Sequence, residues 1–176
     1  MPSEIERKFL VPLEFHDRFV GLGGGTEIVQ AYLNDDPDRT VRVRIARTGG
    51  LDVAKMTVKG RPTPEGGGAV RSEWEWPMPV AAAREMVDSL NPPCLYKTRH
   101  VVQCGGDTWE VDVLSIGLGV HIVVAEFEAP TLEAVNAVAL PTWVGREVTG
   151  DPAFVMSNLT TIRKRNAAWR RAYATE

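Results

Sequence analysis

Charged and apolar residues alternate with a period of two along much of this chain, and that alternation restricts the folds open to it. Successive side chains of a strand point to opposite faces. Glu4-Ile5-Glu6-Arg7-Lys8 therefore sets two carboxylates and an ammonium on one face, with Ile5 and Phe9 on the other. The pattern recurs downstream. Arg42 pairs with Arg44, Lys55 with Lys59, and Arg71, Glu73 and Glu75 align against Trp74 and Trp76. Lys97 then pairs with Arg99, Glu110 with Asp112 and Glu126 with Glu128, and Glu147 follows.

A one-sided sheet with its polar face in water explains any single strand of this kind. It does not explain doublets sorted by sign: Arg/Arg, Lys/Lys and Lys/Arg, then Glu/Asp and Glu/Glu. Like charges in one row repel, so each row needs an opposing row or a ligand. A sheet closed into a barrel supplies opposing rows and turns the charges inward. Burying them is costly unless they are paired or engaged by ions. A linear polyphosphate with a divalent metal meets both demands: arginine forks and ammoniums hold phosphate oxygens, and carboxylates hold a hard cation.

The length and composition fit one globular unit over 1–176, with 44% hydrophobic and 24% charged residues. A net charge of −3 gives no general affinity for nucleic acid, so an anion site must be built locally. Cys94 and Cys104 lack metal-ligand spacing and are expected as free thiols. With no basic-then-apolar leader and no apolar run long enough to span a bilayer, the expectation is a cytoplasmic protein with no membrane partner.

Strand signals fall at 3–11, 27–33, 40–47, 52–59, 70–76, 96–103, 108–114, 121–128 and 144–149, separated by Gly, Asn, Asp and Pro clusters. Gly105-Gly106 reads as a hairpin turn. Helices are expected at 12–20, 80–90, 131–139 and 152–173, the last as a basic solvated face or a cap over one tunnel mouth that adds an arginine. The Pro/Gly-rich run 60–68 reads as a mobile loop. Trp74, Trp76 and Trp109 are expected to pack beneath the outer helices. His16, His100 and His121 form no catalytic set.

These residues resemble the CYTH superfamily, the triphosphate tunnel metalloenzymes. Glu4-Ile5-Glu6-Arg7-Lys8 is similar to the family's ExExK signature, and the charged doublets follow it in family order. The resemblance implies an α+β, mainly antiparallel fold: an eight-stranded β tunnel with a charged interior and a few helices outside. It implies Mg²⁺ or Mn²⁺ on Glu4, Glu6 and Glu128, with Glu126 and Asp112 nearby. Lys8, Arg42, Arg44, Lys59, Lys97 and Arg99 would grip phosphate, and Lys55 and Arg71 share their parity. Glu73, Glu75, Glu110 and Glu147 would support these cations or a second metal. Val148-Thr149-Gly150-Asp151 through Leu159 is similar to a further family stretch, with Phe154 and Met156 in place of a tyrosine and an asparagine.

The activity implied is a metal-dependent triphosphatase acting on inorganic triphosphate or a related small molecule. A class IV-type adenylate cyclase and a non-catalytic polyphosphate-binding module are the alternatives; no base or ribose pocket is visible to favour the former. Homodimers occur in the superfamily, so a homodimer is a further expectation.

Overall fold

Eight runs of alternating residues become eight antiparallel strands, and they close on one another. The computed structural model describes residues 3–36, 38–63, 66–67 and 69–173. Pro37 of the acidic turn, and Pro64, Glu65 and Gly68 of the glycine-rich loop, lie outside the described residues. The strands are β1 (Ser3–Leu10), β2 (Thr26–Tyr32), β3 (Thr40–Thr48), β4 (Leu51–Lys59), β5 (Val70–Met78), β6 (Cys94–Cys104), β7 (Asp107–Gly117) and β8 (Val120–Glu128). Round the barrel the order is β1-β5-β4-β3-β2-β6-β7-β8, with β8 returning to β1. The β6–β7 hairpin turns at Gly105 (φ 64°) and Gly106 (φ 93°), a left-handed pair that only glycine adopts without strain.

Closure works because β1 divides its two edges between partners. Residues Ser3–Ile5 pair with β5, and Glu6–Leu10 pair with β8. Beyond the reach of β5, the free edge of β1 is met by residues 145–148: Leu10 N donates to Arg146 O, Gly145 N to Leu10 O and Val148 N to Lys8 O. It lies within 144–149, the ninth strand expected from the sequence. It forms only an isolated bridge, Phe9 to Glu147, because β1 leaves it just a few residues to pair with.

The outer apolar parity is covered unevenly. Phe9, Trp109, Val111, Val123, Ala125 and Phe127 form one cluster with Phe19, Val135 and Trp143, beneath a 3-10 turn (Leu13–Arg18) and helix α2 (Leu132–Ala137). Helix α1 (Val80–Leu90) sits on β3 and β4 through Ala83, Val43 and Ala54. Trp109 is fully buried as expected, but Trp74 and Trp76 are 36% and 51% exposed. They do not pack beneath a helix, because α1 covers the neighbouring strands and leaves the outer face of β5 open.

Two further expectations change in detail. Residues 12–20 give only the short 3-10 turn. The expected helix over 152–173 is instead two 3-10 turns (Pro152–Phe154 and Met156–Leu159) followed by helix α3 (Ile162–Tyr173). Val155 between the turns is extended (φ −68°, ψ 125°). A continuous helix would send Phe154 and Met156 to different faces; the broken path buries both, with Leu159, against one end of the barrel. The strand residues there also turn apolar on the inward parity: Leu10, Leu95, Leu114, Ile122 and Val124 join the same cluster. The tunnel is therefore plugged at that end.

Candidate active site

Above the plug lies a cavity of about 430 Å³. Every strand contributes to its wall. Glu4, Glu6 and Lys8 come from β1; Arg42 and Arg44 from β3; Lys55 and Lys59 from β4; Arg71, Glu73 and Glu75 from β5. Lys97 and Arg99 come from β6, Glu110 from β7, and Glu126 and Glu128 from β8. Two residues named from the sequence are not on this wall. Asp112 shares the inner face of β7 with Glu110 but is completely buried, screened from the cavity by the side chains of Lys97 and Arg99. Glu147 points outward, where Arg7 Nε and Nη2 donate to its two oxygens at 3.0 and 2.7 Å. Its place on the segment beside β1, rather than on a barrel strand, removes it from the inward parity.

Strand order explains how the like-charged doublets coexist. Lys59 faces Glu73 across β4–β5, and Arg99 faces Asp112 across β6–β7. Glu4 faces Arg71, and Lys8 faces Glu126. The ion pairs follow the register. Glu4 receives Lys59 Nζ at 2.5 Å and Arg71 Nε at 2.8 Å. Lys8 lies 2.9 Å from Glu126, and Arg99 Nη2 donates to Asp112 and to Glu126, each at 2.7 Å. Lys55 and Thr57 both donate to Glu75, at 2.5 and 2.9 Å.

Two walls are left unbalanced. Arg44 of β3 stands opposite Lys55 on one side and the neutral Gln30 on the other. Among the described residues it has no ion pair, and its Nε is buried without a hydrogen-bond partner. Burial and the neighbouring Arg42 pull its guanidinium below its usual pKa. On β8, Glu128 stands opposite Glu6 and, among the described residues, also has no ion pair. Burial and the charges of Glu4, Glu6 and Glu110 push its carboxyl up. Burial and Glu126 push Glu6 up too, against the pull of Lys8. Burial acts the same way on Glu4, but Lys59 and Arg71 outweigh it and hold that group at about 2.

In the ring of eight, β3 and β8 are four places apart in either direction. The cavity is therefore bounded by a basic wall and an acidic wall on opposite sides. No three His, Cys, Asp or Glu side chains among the described residues are gathered as a ready metal site. The carboxylate oxygens of Glu6 and Glu128 nonetheless suit a hard divalent cation, because the repulsion that raises both is what such an ion relieves, while the oxygens of Glu4 beside them are engaged by Lys59 and Arg71.

Sequence reasoning missed the neutral part of the lining. Gln30 and Tyr32 of β2 line the cavity; Gln30 Nε2 donates to Tyr32 Oη at 2.9 Å, and Arg42 Nη1 donates to Gln30 Oε1 at 3.3 Å. Their alternation carried the inward parity but no charge. Val148, Thr149, Phe154 and Met156 also line it. The C-terminal segment thus does close one end, but through these residues and without an arginine from α3. Among the described residues, no histidine lines the cavity, and Cys94 and Cys104 are unpaired. Among the described residues, no helix is long and apolar enough to cross a membrane.

No family model matches the chain. It is 40% identical over 160 residues to a protein of Acetivibrio thermocellus named inorganic triphosphatase, a match covering 90% of this chain and 94% of that one. Among solved structures, that of an inorganic triphosphatase is 26% identical with a TM-score of 0.56, covering 91% of this chain and 95% of that one. A Pyrococcus horikoshii protein shares the fold at 21% identity and a TM-score of 0.53, over 76% of this chain and 83% of that one.

Proposed function

We propose, from the premise that the chain belongs to the inorganic triphosphatase family within the CYTH superfamily, that it hydrolyses a phosphoanhydride bond of inorganic triphosphate or a related triphosphate held in the tunnel. The observation that carries this reading is the pair of unbalanced walls: Arg44 on β3 and Glu128 on β8, each without an ion pair among the described residues, stand on opposite sides of the ring. A ligand that balances both must present anionic oxygens to one wall and a cation to the other.

The phosphate oxygens would be held by the forks of Arg42, Arg44 and Arg99 and the ammoniums of Lys8, Lys59 and Lys97, with Lys55 and Arg71 beside them. Mg²⁺ or Mn²⁺ on Glu4, Glu6 and Glu128, with Glu126 beside them, would supply neutralisation of charge on the phosphate oxygens. Glu73, Glu75 and Glu110 keep the basic side chains ionised and fixed in place. Phosphoryl transfer needs positioning and charge stabilisation more than a covalent nucleophile, and among the described residues the wall offers no serine–histidine or cysteine–histidine pair. Water from the open side attacks in line, its oxygen bonding to phosphorus as the bridging P–O bond breaks. Tripolyphosphate then gives orthophosphate and pyrophosphate. The two unpaired cysteines support a reducing, cytoplasmic setting.

The test is to incubate purified protein with tripolyphosphate, ATP and thiamine triphosphate, each with Mg²⁺ or Mn²⁺, and identify the products. Metal-dependent orthophosphate release from tripolyphosphate is expected. Cyclic AMP and pyrophosphate from ATP would replace the hydrolase with a cyclase, and turnover of no substrate would leave only a binding module.

A further inference from the structure

Asp112 is 0% exposed and touches the cavity only through other side chains. Its Oδ1 accepts Arg99 Nε at 2.7 Å, and its Oδ2 accepts Arg99 Nη2 at 2.7 Å and Lys97 Nζ. Arg99 and Asp112 are direct partners in the β6–β7 register, so this two-bond grip closes between adjacent strands. Lys97, two residues before Arg99 on the same face, is itself only 2% exposed in its side chain. The two carboxyls that stand directly opposite each other, Glu6 and Glu128, are on β1 and β8 instead.

We propose that Asp112 is a positioning residue for phosphate binding: from beneath the cavity lining it fixes the plane of the Arg99 fork and the place of the Lys97 ammonium, and it is not a metal ligand. This rests on the triphosphate reading of the tunnel and adds a division of labour to it. Two cations two residues apart on one strand repel, and a guanidinium free to turn binds phosphate with no fixed geometry. A buried carboxylate that takes both guanidinium nitrogens of one edge locks that plane. Arg99 is then held from its far side by Asp112, while Glu110 and Glu126 meet it on the cavity side.

The experiment is Asp112→Asn, measured in two ways: calorimetric binding of tripolyphosphate in EDTA, and the Mg²⁺ or Mn²⁺ concentration giving half-maximal hydrolysis. Binding without metal should weaken by about tenfold or more, the scale of a lost charge-assisted contact. The metal requirement should stay within about twofold of wild type, since a ligand loss would move it far more. Unchanged binding in EDTA, or a raised metal requirement, overturns the inference. If Asp112→Asn does not fold, the charge-balanced pair Lys97→Met/Asp112→Asn is compared with Lys97→Met alone; equal metal requirements are expected, and a higher one in the pair overturns it. Failure of the wild-type protein to bind tripolyphosphate in EDTA overturns instead the parent reading of the basic wall, and the positioning role with it.

Discussion

Arg44→Met should stabilise the ligand-free protein, whereas Lys59→Met should destabilise it, although both residues are cations on the same tunnel wall. Arg44 has no ion pair among the described residues, and its buried Nε has no partner. A buried polar group left unsatisfied costs about 1–3 kcal/mol. The guanidinium tip borders the cavity, so the low end applies, and methionine keeps most of the apolar stem. A gain of about 1 kcal/mol raises Tm by about 2–4 °C in a chain of this size. Lys59 is the opposite case. Its side chain is 4% exposed and sits 2.5 Å from Glu4 and 3.4 Å from Glu73. Breaking a buried pair costs about 3–5 kcal/mol. Glu4 keeps Arg71, so about 3 kcal/mol is expected, a fall of about 6–12 °C. Thermal melts of both variants in phosphate-free buffer with EDTA read the difference directly. Tripolyphosphate should bind more weakly to each, by about 1.5–3 kcal/mol for a lost charge-assisted contact. A lower melting point for Arg44→Met than for wild type would refute the claim that Arg44 carries uncompensated charge.

Glu147→Gln tests the outward placement of that carboxylate. Its pair with Arg7 is partly exposed and outside the tunnel, so stability should fall by no more than about 1 kcal/mol while the metal concentration for half-maximal hydrolysis stays at the wild-type value; a raised requirement would return Glu147 to the site. His16 offers a pH test away from the tunnel. Its Nε2 lies 3.0 Å from Val11 O and 3.2 Å from the Tyr173 hydroxyl, which ties α3 to the barrel. Burial pulls its pKa below the ordinary value, against the bond to Val11, and His121 lowers it further. The unfolded chain then binds the proton more readily, so this contribution is fully present above about pH 6.5 and is lost as pH falls toward the lower folded pKa. Melts from pH 7.5 to 5.5 should show a steeper decline for wild type than for His16→Phe, and equal slopes would remove His16 as the cause.

The strands and the inward charges were legible because period-two alternation needs only local sequence. All eight barrel strands fall where the alternation puts them, and the charged parity is the inward one. The structure departs from the local pattern where the deciding contact is distant. The stretch around Glu147 has strand-like residues, but the length of free β1 edge decides whether it can pair. Trp74 and Trp76 have the apolar parity, but the site where α1 lands decides whether they are covered. Phe154 and Met156 read as helix, yet the shape of the barrel end breaks the segment into two turns so that both are buried.

The polarity of the tunnel is a different kind of information again. Each doublet's sign is written in the sequence, but its neighbours are not, because β5 stands between β1 and β4 and β2 lies beside β6. That order gives β4 an acidic neighbour in β5 and gives β6 one in β7, neutralising both basic rows locally. β3 receives only Lys55 and Gln30 beside Arg44, so its charge survives into the lumen. The opening Glu4-Ile5-Glu6-Arg7-Lys8 is split by the same logic. Glu4 lies in the part of β1 paired with β5 and is quenched by Arg71 and Lys59, whereas Glu6 lies in the part paired with β8 and faces Glu128. Two glutamates two residues apart therefore differ in state: Glu4 is held ionised by close contacts to Lys59 and Arg71, whereas Glu6, only 3.5 Å from Arg71 and 3.8 Å from Lys8, also meets Glu126 and Glu128 in an acidic cluster that a cation would relieve.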